Sequence, residues 1–225
     1  MLQTIDAIAS LSSIEQELLE EFRSQVDLDV DPYIFLPLWL FLSDGICRLH
    51  GASLSVLTDT EIQLLFAKVM FSELGDGEES EIHSKLLKNL LCKWVAPKFP
   101  SVFDVNDDVI SYFNATVKQI TQATESWVVG FLVGLEVPAL DEFNMVISSF
   151  MRMGVPEEAL MKARYIEIHQ AIELDHQEAG SEAMEKIKAA GFSMTEMREG
   201  GKAAIEFLLH MIGSKGNLLS PLQVA

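Results

Sequence analysis

The stretch PYIFLPLWLFLSDGICRLHG, residues 32–51, is apolar on nearly every side of a helix. A helix with one apolar stripe can lie on a surface, but a helix without a polar face has to be surrounded. It therefore reads as a core helix, bent near Pro37 because proline removes a backbone donor and crowds the preceding turn. The run YIFLPLWLFL inside it has ten residues and a proline, too short to span a bilayer.

The rest of the chain supplies helices to surround it. Helical periodicity dominates and no strand alternation stands out. SSIEQELLEEFRSQV opens with a serine cap, and TDTEIQLLFAKVMFSEL opens with cap chemistry and stops at GDG. EESEIHSKLLKNLLCKWV ends before Pro97, and a long helix from about Asp107 to Glu136 ends at Pro138. LDEFNMVISSFMRMG follows. PEEALMKARYIEIHQAIELDHQEAGSEAMEKIKAAG reads as one helix, with proline in its first turn and glycine at its end. SMTEMREGGKAAIEFLLHMIGSKG is the last. Seven or eight helices with short connections and no linker, repeat or low-complexity tract predict an all-α bundle, one domain over residues 1–225.

Hydrophobic residues make up 49% of the chain, enough for a full core. The net charge of −18 disfavours nucleic acid, since phosphate neutralisation needs Lys and Arg, and it disfavours an anionic membrane surface. Cys47 and Cys92 lie far apart in apolar surroundings and read as buried free thiols in a reducing compartment, neither a disulfide framework nor a CxxC metal site. MLQTIDAIASLSS lacks the basic region of a signal peptide, so a cytoplasmic protein is expected.

The chemistry-bearing stretch is EIHQAIELDHQEAG, residues 167–180. Glu173 stands four residues after His169 and three before His176, so the three share one helix face. Asp175 points to another side. One carboxylate and two imidazoles on one face have metal-ligand spacing, although such a face alone is also compatible with a solvated surface. Two other features bear on the choice. In SELGDGEESEIH, Glu73 closes a buried helix and His83 lies about a turn into the next. In SWVVGFLVGLEVPAL, Glu136 ends a nearly unbroken apolar run. Carboxylates there are costly to bury unless paired or bound to a cation. Glutamates and histidines together suit iron or manganese.

The order Glu-x9-His, then a lone Glu after an apolar helix, then His-x3-(Asp/Glu)-x2-His resembles the heme-oxygenase-like di-iron oxidases. Their relatives include the Chlamydia protein associating with death domains and, more distantly, the thiaminase-II and PQQ-synthesis proteins. The resemblance covers about Thr58 to Gly213. It implies a seven-helix heme-oxygenase-like fold and a metal site of Glu73, His83, Glu136, His169, Glu173 and His176 holding two Fe(II) ions. It also implies dioxygen as co-substrate, with Glu73, Glu136 and Glu173 as the catalytic carboxylates. The family usually has Asp where this chain has Glu173. Within the family the sequence is most similar to the cyanobacterial branch that turns a halogenated tryptophan into an indole nitrile.

The expected substrate is therefore small and apolar, best an aromatic amino acid, with oxidation of a fatty acid as the alternative in the same class. Bulky residues near the ligands in sequence are Phe66, Phe71, Trp127, Phe131, Leu132 and Phe143. Phe66, Trp127, Phe131 and Arg152 are the candidate substrate contacts, and Arg48, Lys93, Arg152 and Arg164 are the cations that could meet a substrate carboxylate. A thiaminase-like reaction would need a cysteine nucleophile, and neither cysteine has a matching context. His50 reads as a helix-end histidine and His210 as structural. A metal-free interaction protein and a cofactorless oxidase are the rival readings. Pairing of two chains through the first helices is plausible on the resemblance.

Overall fold

In the computed structural model, residues 13–172 and 191–213 are described. Every regular element among them is helical. The helices are α1 (Ser13–Gln25), α2 (Pro32–Leu54), α3 (Thr60–Glu73), α4 (His83–Trp94), α5 (Asp107–Ile120), α6 (Glu125–Glu136), α7 (Ala139–Arg152), α8 (Glu157–Met161), α9 (residues 164–172) and α10 (Met194–Ile212).

The apolar stretch is the central helix, as its composition requires. Asp31 caps α2 by accepting from the Tyr33 N–H at 2.9 Å, Pro32 occupies the first turn, and the helix runs on through Pro37. It packs against α3, α4, α5, α6, α7 and α10. Phe35, Leu36 and Leu49 in it are essentially inaccessible.

The tightest helix pair is α6 with α10. Gly130 and Gly200 let the two backbones meet: a Cβ on Gly130 would stand 2.0 Å from the Met197 carbonyl oxygen, and one on Gly200 1.9 Å from that of Trp127. Any side chain at either position would push the helices apart.

Three expected boundaries are corrected. The span from Asp107 to Glu136 is two helices, because Thr124 accepts from the Trp127 N–H at 3.3 Å and so caps a new start at Glu125. His83 is the first residue of α4, not a turn inside it, because the chain before it forms two short 3-10 turns, Gly75–Gly77 and Glu79–Glu81. The helix expected from Pro156 breaks after Met161, where a tight turn bonds the Ala163 N–H to the Leu160 carbonyl, and restarts at residue 164. Its expected continuation to Gly191 lies outside the described residues, as do Glu173 and His176. The thiols are also free, but only Cys47 is half-buried, and Cys92 is exposed.

Candidate metal centre

The GDG turn does the positioning. Gly75, Asp76 and Gly77 have φ of 70°, 53° and 91°, three consecutive left-handed residues that reverse the chain after α3. Gly75 is required twice over: by its φ, and because a Cβ there would lie 2.6 Å from the Glu81 carbonyl carbon. The reversal brings the last residue of α3 against the first of α4. Glu73 Oε2 stands 3.1 Å from His83 Nδ1. Arg164, at the start of α9, bonds Glu81 at 2.7 Å and ties the turn to the helix that bears His169.

His169 completes the group. One ligand atom each from Glu73, His83 and His169 lies within 4.8 Å of the others. His83 and His169 are buried, and their rings are 4.7 Å apart. The His169 Nδ1 donates to the Tyr165 carbonyl at 2.7 Å, since a carbonyl can only accept. This leaves Nε2 as the lone-pair nitrogen, the usual way a ligating imidazole is oriented. Phe143 stacks on the same ring at 5.6 Å, and Trp39 Nε1 donates to the Tyr165 hydroxyl at 3.0 Å, so the His169 support is itself braced. His83 Nδ1 is buried and in no hydrogen bond among the described residues, despite the nearby carboxylate.

A cavity of about 80 Å³ opens beside this group, lined by Glu73, His169 and Glu136 together with His50, Glu142 and the apolar Trp39, Leu42, Ile46, Val69, Leu135 and Leu208. Glu136 is buried and faces the same cavity, so three expected site residues line one space and His83 adjoins it through Glu73. No Lys or Arg is among the described residues of its wall.

The expected substrate contacts are placed elsewhere. Phe66 and Phe131 are fully buried in the core, and Trp127 stacks on Phe131 at 5.3 Å and lines an outer groove instead. Arg152 donates to the Val30 carbonyl at 2.7 Å. Arg48 bonds Asn114 and lies over Phe113, Lys93 lies over Trp94, and Arg164 serves Glu81 and Glu167. Proximity in sequence to a ligand was a poor guide, because successive helical residues point about 100° apart.

Two cavity residues were missed. His50 does lie near a helix end, one turn before α2 stops at Leu54, but its ring is wholly buried with Nε2 3.4 Å from Glu136 Oε1. Glu142 is fully buried on α7, with Oε1 in no hydrogen bond among the described residues. Burial, and then the charges of Glu136 and Asp141, push its carboxyl well above the ordinary range. A signal existed for Glu142. It sits on the stripe Glu142, Met145, Val146, Ser149, Phe150, which has the spacing of a core-facing helix side.

Helical bundles build metal sites from carboxylates and imidazoles that project inward from facing helices, and this group has that character. Residues 46–207 match the family described as iron-containing redox enzymes, and the chain belongs to it. Its fold is the all-α, heme-oxygenase-like bundle. Searches of the curated proteins and of the solved structures find no significant match.

Proposed function

We propose that the chain is a non-haem di-iron, dioxygen-dependent oxidase acting on a small apolar substrate, best an aromatic, tryptophan-like amino acid converted oxidatively to a nitrile. The observation that carries the reading is the convergence of Glu73, His83 and His169 beside a cavity that Glu73 and His169 line. A buried imidazole nitrogen 3.1 Å from a carboxylate oxygen but outside hydrogen-bond geometry is costly to leave so. A cation between the two would satisfy the imidazole nitrogen. The donors are nitrogen and hard oxygen, which fits iron.

Glu73, His83 and His169 would hold one ion. Glu136, with Glu173 and His176 by resemblance, would hold the second. Bound there, ferrous iron supplies the reduction of dioxygen. The chain's own residues do the rest. Tyr165 fixes the His169 ring through its carbonyl. Trp39, Leu42, Ile46, Val69, Leu135 and Leu208 present an apolar wall that favours an apolar reacting group and keeps bulk water out. At about 80 Å³ the space is well below the roughly 300–1,000 Å³ of whole-ligand sites, so the described wall surrounds the reacting end of a substrate.

The test is anaerobic titration with Fe(II), followed by oxygen and a panel of aromatic amino acids and fatty acids, with products read by mass. About two irons per chain are expected, as in other carboxylate-bridged bundles. Zero iron sinks the reading, and turnover that survives a chelator replaces it with the cofactorless oxidase.

A further inference from the structure

We propose that His50 is a positioning residue for the metal centre, acting through Glu136. This rests on the reading above, in which Glu136 is a ligand. The ring is inaccessible, stands about one turn before the central helix ends at Leu54, and lines a cavity whose described wall carries no Lys or Arg. Its Nε2 lies 3.4 Å from Glu136 Oε1, and neither ring nitrogen has a hydrogen-bond partner among the described residues. A wholly buried imidazole with both nitrogens unmet is costly, and the Glu136 carboxylate is an acceptor close to Nε2. A shift of a few tenths of an ångström closes the bond, with Nε2–H donating to Oε1. That bond would fix the orientation of the Glu136 carboxylate.

His50 is built for this by its place in the fold. It stands on α2, Glu136 ends α6, and the two helices pack directly. The imidazole thus links the core helix to the buried last residue of α6. Outer partners of metal-bound carboxylates and imidazoles set ligand orientation and are worth about 10–100-fold in metal affinity.

The experiment is anaerobic titration of the full chain with Co(II), read by visible absorption and by bound metal, for the wild type, His50→Phe, His50→Gln, Glu136→Gln and the double variant His50→Phe with Glu136→Gln. His50→Phe keeps a ring and removes the donor. The weaker Co(II) is expected to lose about 10–100-fold in affinity, while the tighter one and the circular dichroism stay unchanged. His50→Gln, which restores a donor, is expected to recover most of the loss. In the Glu136→Gln background, His50→Phe is expected to add nothing, because its effect passes through that carboxylate. Unchanged affinity in a folded His50→Phe overturns the proposal. So does a His50→Phe loss that persists in full on the Glu136→Gln background, which would make His50 a ligand itself. Should His50→Phe not fold, loss of affinity in His50→Gln equal to that in Glu136→Gln overturns it as well. A wild type that binds no Co(II) or Fe(II) refutes the di-iron reading instead, in the parent chain and before any variant is compared.

Discussion

His83 Nδ1 lies 3.1 Å from Glu73 Oε2, and no hydrogen bond joins them. The two are the first residue of α4 and the last of α3, brought together by the turn between the helices. Removing either donor should therefore act on metal binding more than on folding. For His83→Ala the affinity of the tighter metal should fall by more than the roughly 10–100-fold typical of an outer partner. The melting temperature of the metal-free protein should drop only modestly. Equilibrium metal binding and thermal unfolding of the apo-protein check the two halves. A large loss of apo-stability with unchanged metal binding would make the pair structural.

How much of this arrangement was legible in the sequence depends on the scale of the feature. The central helix was legible because its apolar character leaves no surface position open to it. Glu73 and His83 were legible as a pair because the glycine turn between them is short enough to bring helix end and helix start together. Helix breaks were not legible where a single side chain decides them, as Thr124 does by capping. Rotational phase was not legible for the aromatic and basic residues near the ligands in sequence: Phe143 does stack on His169, whereas Phe131 and Phe66 face the core and Arg152 reaches across to α2's approach at Val30. His50 could not be found from its neighbours, since what gives it significance is Glu136, 86 positions later in the chain and 3.4 Å away.

The GDG turn gives a graded test of the same geometry. Gly75→Ala meets both a left-handed φ and a backbone contact at 2.6 Å. Gly77→Ala meets only the φ, since its Cβ would touch the Phe71 ring at an ordinary 3.5 Å. The φ penalty alone is about 1–2 kcal/mol. Gly77→Ala should cost about that, and Gly75→Ala measurably more, with metal affinity falling alongside because Glu73 and His83 move apart. Urea unfolding and metal titration of both variants decide it, and equal costs would show that the Glu81 contact does not matter.

A second glycine contrast probes the fold away from the site. Gly200→Ala should cost at least the roughly 1–3 kcal/mol of an overpacked core, because its Cβ would meet backbone that cannot rotate aside. Gly51→Ala, in α2 with nothing within 4 Å of its Cβ, should stabilise by about 0.5–1 kcal/mol through helix propensity alone. Chemical denaturation measures both. Destabilisation by Gly51→Ala would contradict the open surroundings at that position.

The two thiols should separate by reactivity. Burial, with the Glu73 charge behind it, pushes the Cys47 thiol up to about 11. Since the thiolate is the nucleophile, Cys47 should resist alkylation near neutral pH and gain rate as the pH approaches that value. Exposed Cys92 should be modified first. Mass mapping of iodoacetamide adducts over a pH series reads this directly, and equal labelling of both at pH 7 would refute the burial of Cys47.

Glu142 sets a pH dependence for the metal-free protein. Its carboxyl is raised well above its ordinary value, first by burial and then by the charges of Glu136 and Asp141. The unfolded chain then releases this proton at lower pH than the folded one. Below the unfolded carboxylate range both states are protonated, and the group's contribution is fully present. As pH rises from that range toward the folded pKa, stability is lost with each unit, because the unfolded state gains charge in water while the folded state holds on to its proton. Glu142→Gln removes the titration and keeps the shape. The apo variant should be more stable than wild type at neutral pH and nearly equal to it near pH 4, with a flatter profile between. Urea unfolding of both proteins across that range is the measurement. A stability difference that does not change with pH would mean that Glu142 is paired in the folded protein.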